Sequence, residues 1–332
     1  MTPLLTLENV AVDVQVQGMP RRIVSDMSMS IGAGEALGVI GESGSGKSMT
    51  ARTIVRNLPA GSTISGAVTF DGEDVLSMSP NRLRTFRRHD VAMVFQDPRA
   101  HINPVRRIGD FLTESLRADG MPPLEARERS IKLLNDVHVA NAETVMRRYP
   151  HELSGGMLQR VMIASAMSTS PKLLIADEPT TALDVTTQAE VMAILDEMRM
   201  LGMALLFITH DLDLASAICD RVSVAYAGRT VETQQAEAMG RRPLHPYTSA
   251  LLGARPSLSG GEERLKALRG SSISAWETPA GCAFAPRCDF AEDLCSTEQQ
   301  ELLPMGDAWV ACRRVDELSV GRVVPGGLKR DV

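Results

Sequence analysis

Ala36-Leu37-Gly38-Val39-Ile40, followed by Gly41-Glu42-Ser43-Gly44-Ser45-Gly46-Lys47-Ser48, reads as a buried strand that runs into a glycine-rich loop. The loop satisfies GxxxxGK[ST] at every position, and the pattern predicts a helix from Lys47 to Asn57 after it. Glycines let consecutive backbone N–H groups curl around the phosphates of a nucleotide, and the helix points its positive end at them. Lys47 adds a point charge for the phosphates, and the Ser48 hydroxyl suits Mg²⁺. Strand before and helix after is the setting this motif requires, so the stretch predicts an α/β fold.

Outward from the loop, Leu5–Val16, Asp26–Ile31 and Ile64–Phe70 alternate or run apolar between turn residues, which predicts an N-terminal antiparallel β part. Val91–Phe95 is a further strand leading into Gln96-Asp97-Pro98. From about Phe111 to Met167 the pattern turns helical, with apolar residues three and four apart, and a helical subdomain is expected at about 97–167. Leu173–Ala176 and Ala204–Ile208 read as buried strands with a helix from Thr187 to Met200 between them. Val222–Tyr226 and Arg229–Val231 read as a hairpin around Ala227-Gly228. Composition shifts near Arg255-Pro256, and Ser257–Glu263 reads as a linker, so the domains are expected at 1–255 and 256–332.

Two further stretches carry chemistry. Leu173-Leu174-Ile175-Ala176-Asp177-Glu178 is an apolar strand ending in adjacent acids, which suits Asp177 to Mg²⁺ and Glu178 to polarising an attacking water. Leu153-Ser154-Gly155-Gly156-Met157, with Gln159-Arg160 after it, offers a second anion-binding turn at a helix start. The bland readings are a strand that ends in surface acids and a glycine turn that merely opens a helix. A chain that already holds one phosphate loop gains a use for a second turn only if a second nucleotide contact exists.

In their order these elements resemble the ATP-binding subunits of ABC transporters: the loop 41–48, Gln96, the signature 153–157, the acidic strand 173–178, Ala182-Leu183-Asp184, and His210. The resemblance covers about residues 5 to 255 and implies a P-loop NTPase core of the ABC ATPase kind with ATP and Mg²⁺ as ligands. It implies that two subunits pack head to tail, so that Ser154, Gly155 and Gly156 serve the ATP held by the other subunit. Lys47, Gln96, Glu178 and His210 would be catalytic, Glu178 as base and His210 on the γ-phosphate and attacking water. Ser48, Gln96 and Asp177 would hold Mg²⁺, with Gln96 also sensing the membrane subunit, and Asp184 would communicate across the dimer. One departure stands out: residues 14–24 contain no aromatic to stack on adenine, leaving Val16 and Arg22 as its candidate contacts.

Local strings resemble the peptide and nickel importer branch. They are Gln96-Asp97-Pro98 with Asn103-Pro104, Tyr149-Pro150-His151-Glu152, Tyr226-Ala227-Gly228 with Val231-Glu232, and His245-Pro246-Tyr247-Thr248. Gln234 stands where the branch often has glycine. The branch implies a different second ATPase subunit as heterodimer partner, two membrane-spanning permease subunits, and an extracytoplasmic solute-binding protein. It implies a peripheral protein on the cytoplasmic face of the cell membrane, with di- or oligopeptides as cargo and nickel or a metal chelate as the alternative. Cys282, Cys288, Cys295 and Cys312 fall in the tail, separated by five, six and sixteen residues. Four thiolates suit Zn²⁺ or a [4Fe–4S] cluster; these gaps are wider than zinc knuckles and miss the ferredoxin spacings, and four reduced thiols remain the bland reading.

Composition bounds the rest. Over 332 residues, 44% apolar and 23% charged residues fit a globular protein with a real core. A net charge of −6 speaks against nucleic acid as a partner, and Arg82, Arg84, Arg87 and Arg88 read as a solvated helix face. The first residues lack a basic region and apolar core of the signal-peptide kind, and no stretch approaches the roughly 18 apolar residues of a membrane span. The rival reading, a soluble ABC ATPase of translation or DNA repair, predicts two ATPase units or coiled-coil insertions, and the sequence carries neither.

Overall fold

The computed structural model describes residues 2–181, 183–254 and 268–317. The domain boundary expected near Arg255, the linker 257–263 and Ala182 lie outside the described residues. By internal contacts the chain forms two compact units.

One unit comprises the chain up to Leu5, Ile31–Ala36 and Thr69–Thr209. Its centre is a parallel set of three strands, Val91–Val94, Leu173–Asp177 and Ala204–Thr209, in register with Val91 opposite Leu173 and Leu173 opposite Ala204. Every residue of the latter two strands is buried, as expected for parallel strands covered on both faces. Helices Ile108–Ala118, Pro123–Asp136 and Gly155–Met167 pack on one another. Their buried residues recur at helical spacing: Leu112 and Leu116 on the first, Ala126, Ser130 and Leu134 on the second. Ser130 is tolerated inside because its hydroxyl donates to the Ala126 carbonyl at 2.8 Å. Of the basic strip, Arg82 bonds Glu73 and Asp90, and Arg88 pairs with Asp119.

The other unit comprises Thr6–Ser30, Leu37–Val68 and the described residues from His210 onward. Its strands lie in the order Thr63–Phe70, Leu5–Val16, Met19–Ile31, Arg229–Gln235, Arg221–Tyr226 and Ala36–Ile40. The Met19–Ile31 strand begins seven residues before the sequence-based start at Asp26. A two-residue turn explains this: Gln17 and Gly18 have φ of 53° and 77°, the paired left-handed conformation that joins tightly twisted strands. Arg22 then bonds both carboxylate oxygens of Asp13 across the hairpin at 2.8 Å. The expected 222–231 hairpin spans Arg221–Tyr226 and Arg229–Gln235, with a bulge between Thr230 and Glu232. The tail is built onto the same sheet: Ala308–Val310 pairs antiparallel with Arg229–Gln235, Val310 opposite Glu232.

Candidate active site

The phosphate loop leaves the wholly buried Ala36–Ile40 strand at Gly41. A Cβ at Gly41 would stand 2.1 Å from the Ala225 carbonyl oxygen, so only glycine lets the loop pass the hairpin there. Gly46, with φ of 91°, caps the helix Lys47–Ile54. That helix stops short of the expected Asn57 because Arg56 turns left-handed at φ 51°, closing it with an Asn57 N–H bond to the Arg52 carbonyl at 2.8 Å. Lys47 is 5% exposed and donates to the Gly41 and Glu42 carbonyls at 2.8 and 3.0 Å. Ser43 and Gly44, at the crest, are open to solvent, and Ser48 is half-buried.

Glu42 has its side chain committed to the tail. Its carboxylate accepts from both Arg287 nitrogens, at 2.6 and 3.0 Å, and its N–H donates to the Tyr247 hydroxyl at 3.0 Å. In the same unit His210 is exposed and Arg22 remains paired with Asp13. Val16, the other adenine candidate, is 42% exposed.

The other unit carries the acids and the signature. Asp177 ends its strand 5% exposed. Glu178 takes a φ of 48°, uncommon for a residue with a side chain, and its N–H donates to the Ile208 carbonyl at 2.9 Å. Its carboxylate accepts from Gln96 at 3.3 Å and from the Thr181 hydroxyl at 2.8 Å. Gln96 and Glu178, far apart in sequence, therefore meet.

Ser154 caps the helix Gly155–Met167, accepting from the Met157 N–H at 3.3 Å. Asp184 caps Val185–Met200 through the Thr187 N–H at 3.0 Å and hydroxyl at 2.7 Å, and these bonds hold its carboxyl below the usual carboxylate range. A Cβ on Gly156 would stand 2.2 Å from the Thr187 methyl. Thr187 thus links the signature to Asp184, a role the sequence reading missed although Asp-x-x-Thr is a capping pattern.

All four tail cysteines line one cavity. The Cys282 N–H donates to the Cys295 carbonyl at 2.7 Å, and no two of the thiols are joined. Burial pushes the Cys288 and Cys312 thiols up to about 11. Among the described residues no three His, Cys, Asp or Glu side chains are arranged to hold a single metal ion. Beside this cavity His245 is buried and pushed down to about 4, so it is neutral, accepting from the Tyr247 N–H at 3.0 Å. Glu232 is fully buried, and burial raises it to about 7 against donation from the Leu244 and His245 N–H groups, both at 2.8 Å. Gln234 donates to Glu232 at 2.8 Å and to the Arg242 carbonyl at 3.0 Å, which gives the glutamine a structural use. Arg287 had no signal in the sequence beyond its place before Cys288.

Comparison with known proteins agrees with this geometry. The ABC transporter family model matches residues 24–181, and the model of the oligopeptide/dipeptide transporter C-terminal region matches residues 231–295. A putative peptide import ATP-binding protein of Brucella abortus is 45% identical over 300 residues, 90% of each chain. The oligopeptide transport ATP-binding protein OppD of Escherichia coli is 43% identical over 296 residues, covering 89% of this chain and 88% of its own. Among solved structures, a dimeric ATP-binding cassette in a post-hydrolysis state with ADP and Pi is 25% identical, with a TM-score of 0.63 over 70% of this chain and 98% of that one. Similarity at this level across nine-tenths of the chain has one consequence: the chain belongs to the ABC transporter family of ATP-binding proteins, in its oligopeptide and dipeptide branch.

Proposed function

We propose that this chain hydrolyses Mg-ATP to energise import of di- or oligopeptides through a membrane ABC transporter. The observation that carries the chemistry is Glu178, held by Gln96 and Thr181 at the end of a buried strand. A carboxylate so oriented can take a proton from water attacking the γ-phosphate. Lys47 and the N–H groups of the Gly41–Ser48 loop bind the phosphates, Ser48, Gln96 and Asp177 hold Mg²⁺, and His210 steadies the γ-phosphate. Ser154, Gly155 and Gly156 serve the nucleotide of a second ATPase subunit, a different chain, and Asp184 reports across that pair.

Residues 1–255 act as the ATP-binding domain and 256–332 as the extension. Two permease subunits and an extracytoplasmic solute-binding protein complete the assembly, with this chain peripheral on the cytoplasmic face. No described helix is long and apolar enough to cross a membrane.

The four tail thiols suit a [4Fe–4S] cluster. They line one cavity, and four Cys thiolates are the ligand set such a cluster takes. Such a group supplies cross-linking stability to a small segment. Cys282, Cys288, Cys295 and Cys312 would ligate it. Iron and sulfide in anaerobically purified protein, lost on Cys→Ser substitution, are expected; one equivalent of zinc without sulfide, or no metal, overturns the cluster.

The main test is turnover in the reconstituted complex. Glu178→Gln should lower hydrolysis at this subunit's site by about 10²–10⁴-fold while ATP binding persists. Unchanged hydrolysis at that site removes Glu178 from the role. The isolated subunit should be a poor ATPase that companion subunits stimulate.

A further inference from the structure

The phosphate loop is anchored by a residue of the tail. Arg287 has a side chain only 6% exposed, and it spans the gap between two parts of the same compact unit. Its two terminal nitrogens grip the Glu42 carboxylate, and its Nε donates to the Arg269 carbonyl at 2.6 Å. The Tyr226 and Phe284 rings flank the guanidinium at 5.7 and 5.9 Å. Planar, two-point pairing of this kind fixes direction as well as distance.

What it fixes is the root of the loop. Through its carbonyl Glu42 accepts from Lys47 and from the Ser45 N–H at 3.3 Å, and through its own N–H it bonds Tyr247. The next two residues are exposed, and nothing stands within 4 Å of the place a Gly44 side chain would occupy. The crest therefore takes its position from Glu42 and Ser45 on either side of it. Phosphate binding needs those N–H groups aimed in advance, and pre-aiming is affinity.

Arg287 in turn is held by the wall of the thiol cavity. It ends the single turn Ala285–Arg287, whose Ala285 N–H donates to the Cys282 carbonyl at 3.0 Å. The next residue, Cys288, donates its N–H to the Ala285 carbonyl at 3.2 Å. A shift of Cys282 or Cys288 moves the guanidinium with it.

We propose that Arg287 is a positioning residue for the phosphate loop, through which the thiol-bearing tail sets the subunit's affinity for nucleotide. This rests on the reading of Gly41–Ser48 as the nucleotide loop. It adds that the tail is a control element and not a passive appendage.

The test measures Mg-ATP binding to the full-length subunit, with turnover of the assembled complex beside it. Arg287→Ala should weaken binding by about tenfold, and Arg287→Lys, which keeps charge but loses the fork, by less. KM should rise while kcat holds. Glu42→Gln with Arg287→Ala should bind no more weakly than Arg287→Ala alone. Cys288→Ser should weaken binding in the parent chain and have no effect in the Arg287→Ala background. Should Arg287→Ala not fold, Arg287→Lys serves as the background for both comparisons. The proposal is overturned if folded Arg287 variants bind like the parent, if the Glu42 and Arg287 effects add in full, or if Cys288→Ser acts equally in both backgrounds or in neither. A parent chain that binds no ATP at all would instead overturn the nucleotide reading.

Discussion

The turn at Gly41–Lys47 and the turn at Leu153–Gly156 are both glycine-rich and both open helices, yet they are supported differently. In the first, Gly44 and Gly46 are left-handed, Lys47 folds back on the loop's own carbonyls, and the backbone presses against the Ala225 carbonyl. In the second, the glycines have ordinary φ values, Ser154 already caps its helix, and the tight neighbour is the short side chain of Thr187. A loop that wraps its ligand must be shaped by backbone against backbone. A turn that presents one face to another chain needs only a fixed helix end. The contrast separates holding a nucleotide from completing a neighbour's site.

The strongest way to break this contrast is at Gly41. A methyl there meets a backbone oxygen that cannot step aside, so Gly41→Ala should displace the loop and weaken ATP binding by roughly a hundredfold, about 3 kcal/mol, in equilibrium binding. Near-normal affinity would mean the loop's shape does not depend on that glycine.

At Gly156 the obstacle is a methyl group, and it can be removed. Gly156→Ala should leave ATP binding to the isolated subunit unchanged, lower turnover of the assembled complex, and cost roughly 1–3 kcal/mol in thermal or chemical unfolding. Thr187→Ser deletes the obstructing methyl and keeps the hydroxyl that bonds Asp184. The double variant should regain most of the stability; failure to do so would place the strain elsewhere.

The last effect acts on stability through pH and concerns what lies beneath the first turn. Gly228, in the hairpin that carries Glu232, donates its N–H to the Ser45 carbonyl at 3.1 Å. Glu232 is raised from 4.5 to about 7, so the folded chain keeps a proton that the unfolded chain has lost, and stability falls as pH rises between those values. His245 is lowered from 6.5 to about 4, so the unfolded chain holds the extra proton, and stability rises with pH between 4 and 6.5. The two slopes oppose each other where they overlap. Glu232→Gln should remove only the falling one, leaving stability that climbs from pH 4.5 to 6.5 by up to about 1.4 kcal/mol per unit in urea melts. A flat profile in the variant would contradict the opposition.

Much of this was legible in the sequence because motif and period act locally. The loop, the apolar runs 173–176 and 204–208 and the 222–231 hairpin announce themselves through glycine positions and β-type runs. The early start at Met19 was missed because Met19-Pro20-Arg21-Arg22 has no apolar alternation; the Gln17-Gly18 turn and the Arg22–Asp13 bond set the register instead. In the site, Gln96 and Glu178 were named separately, and only folding brings them to 3.3 Å. Arg287 was invisible for the same reason, since Glu42 lies far away in sequence; for Thr187 the bond to Asp184 follows a local pattern, and only its approach to Gly156 does not.

The pairing of Ala308–Val310 with Arg229–Gln235 has a consequence for how the chain is made. Those backbone groups near Glu232 wait for a partner that leaves the ribosome long after them, and closing so wide a loop is slow although its entropic penalty grows only with the logarithm of its length. Until Val310 emerges, part of the sheet is an open edge of the kind that invites pairing with other chains. A nascent or prematurely terminated subunit is therefore the form most in need of a chaperone.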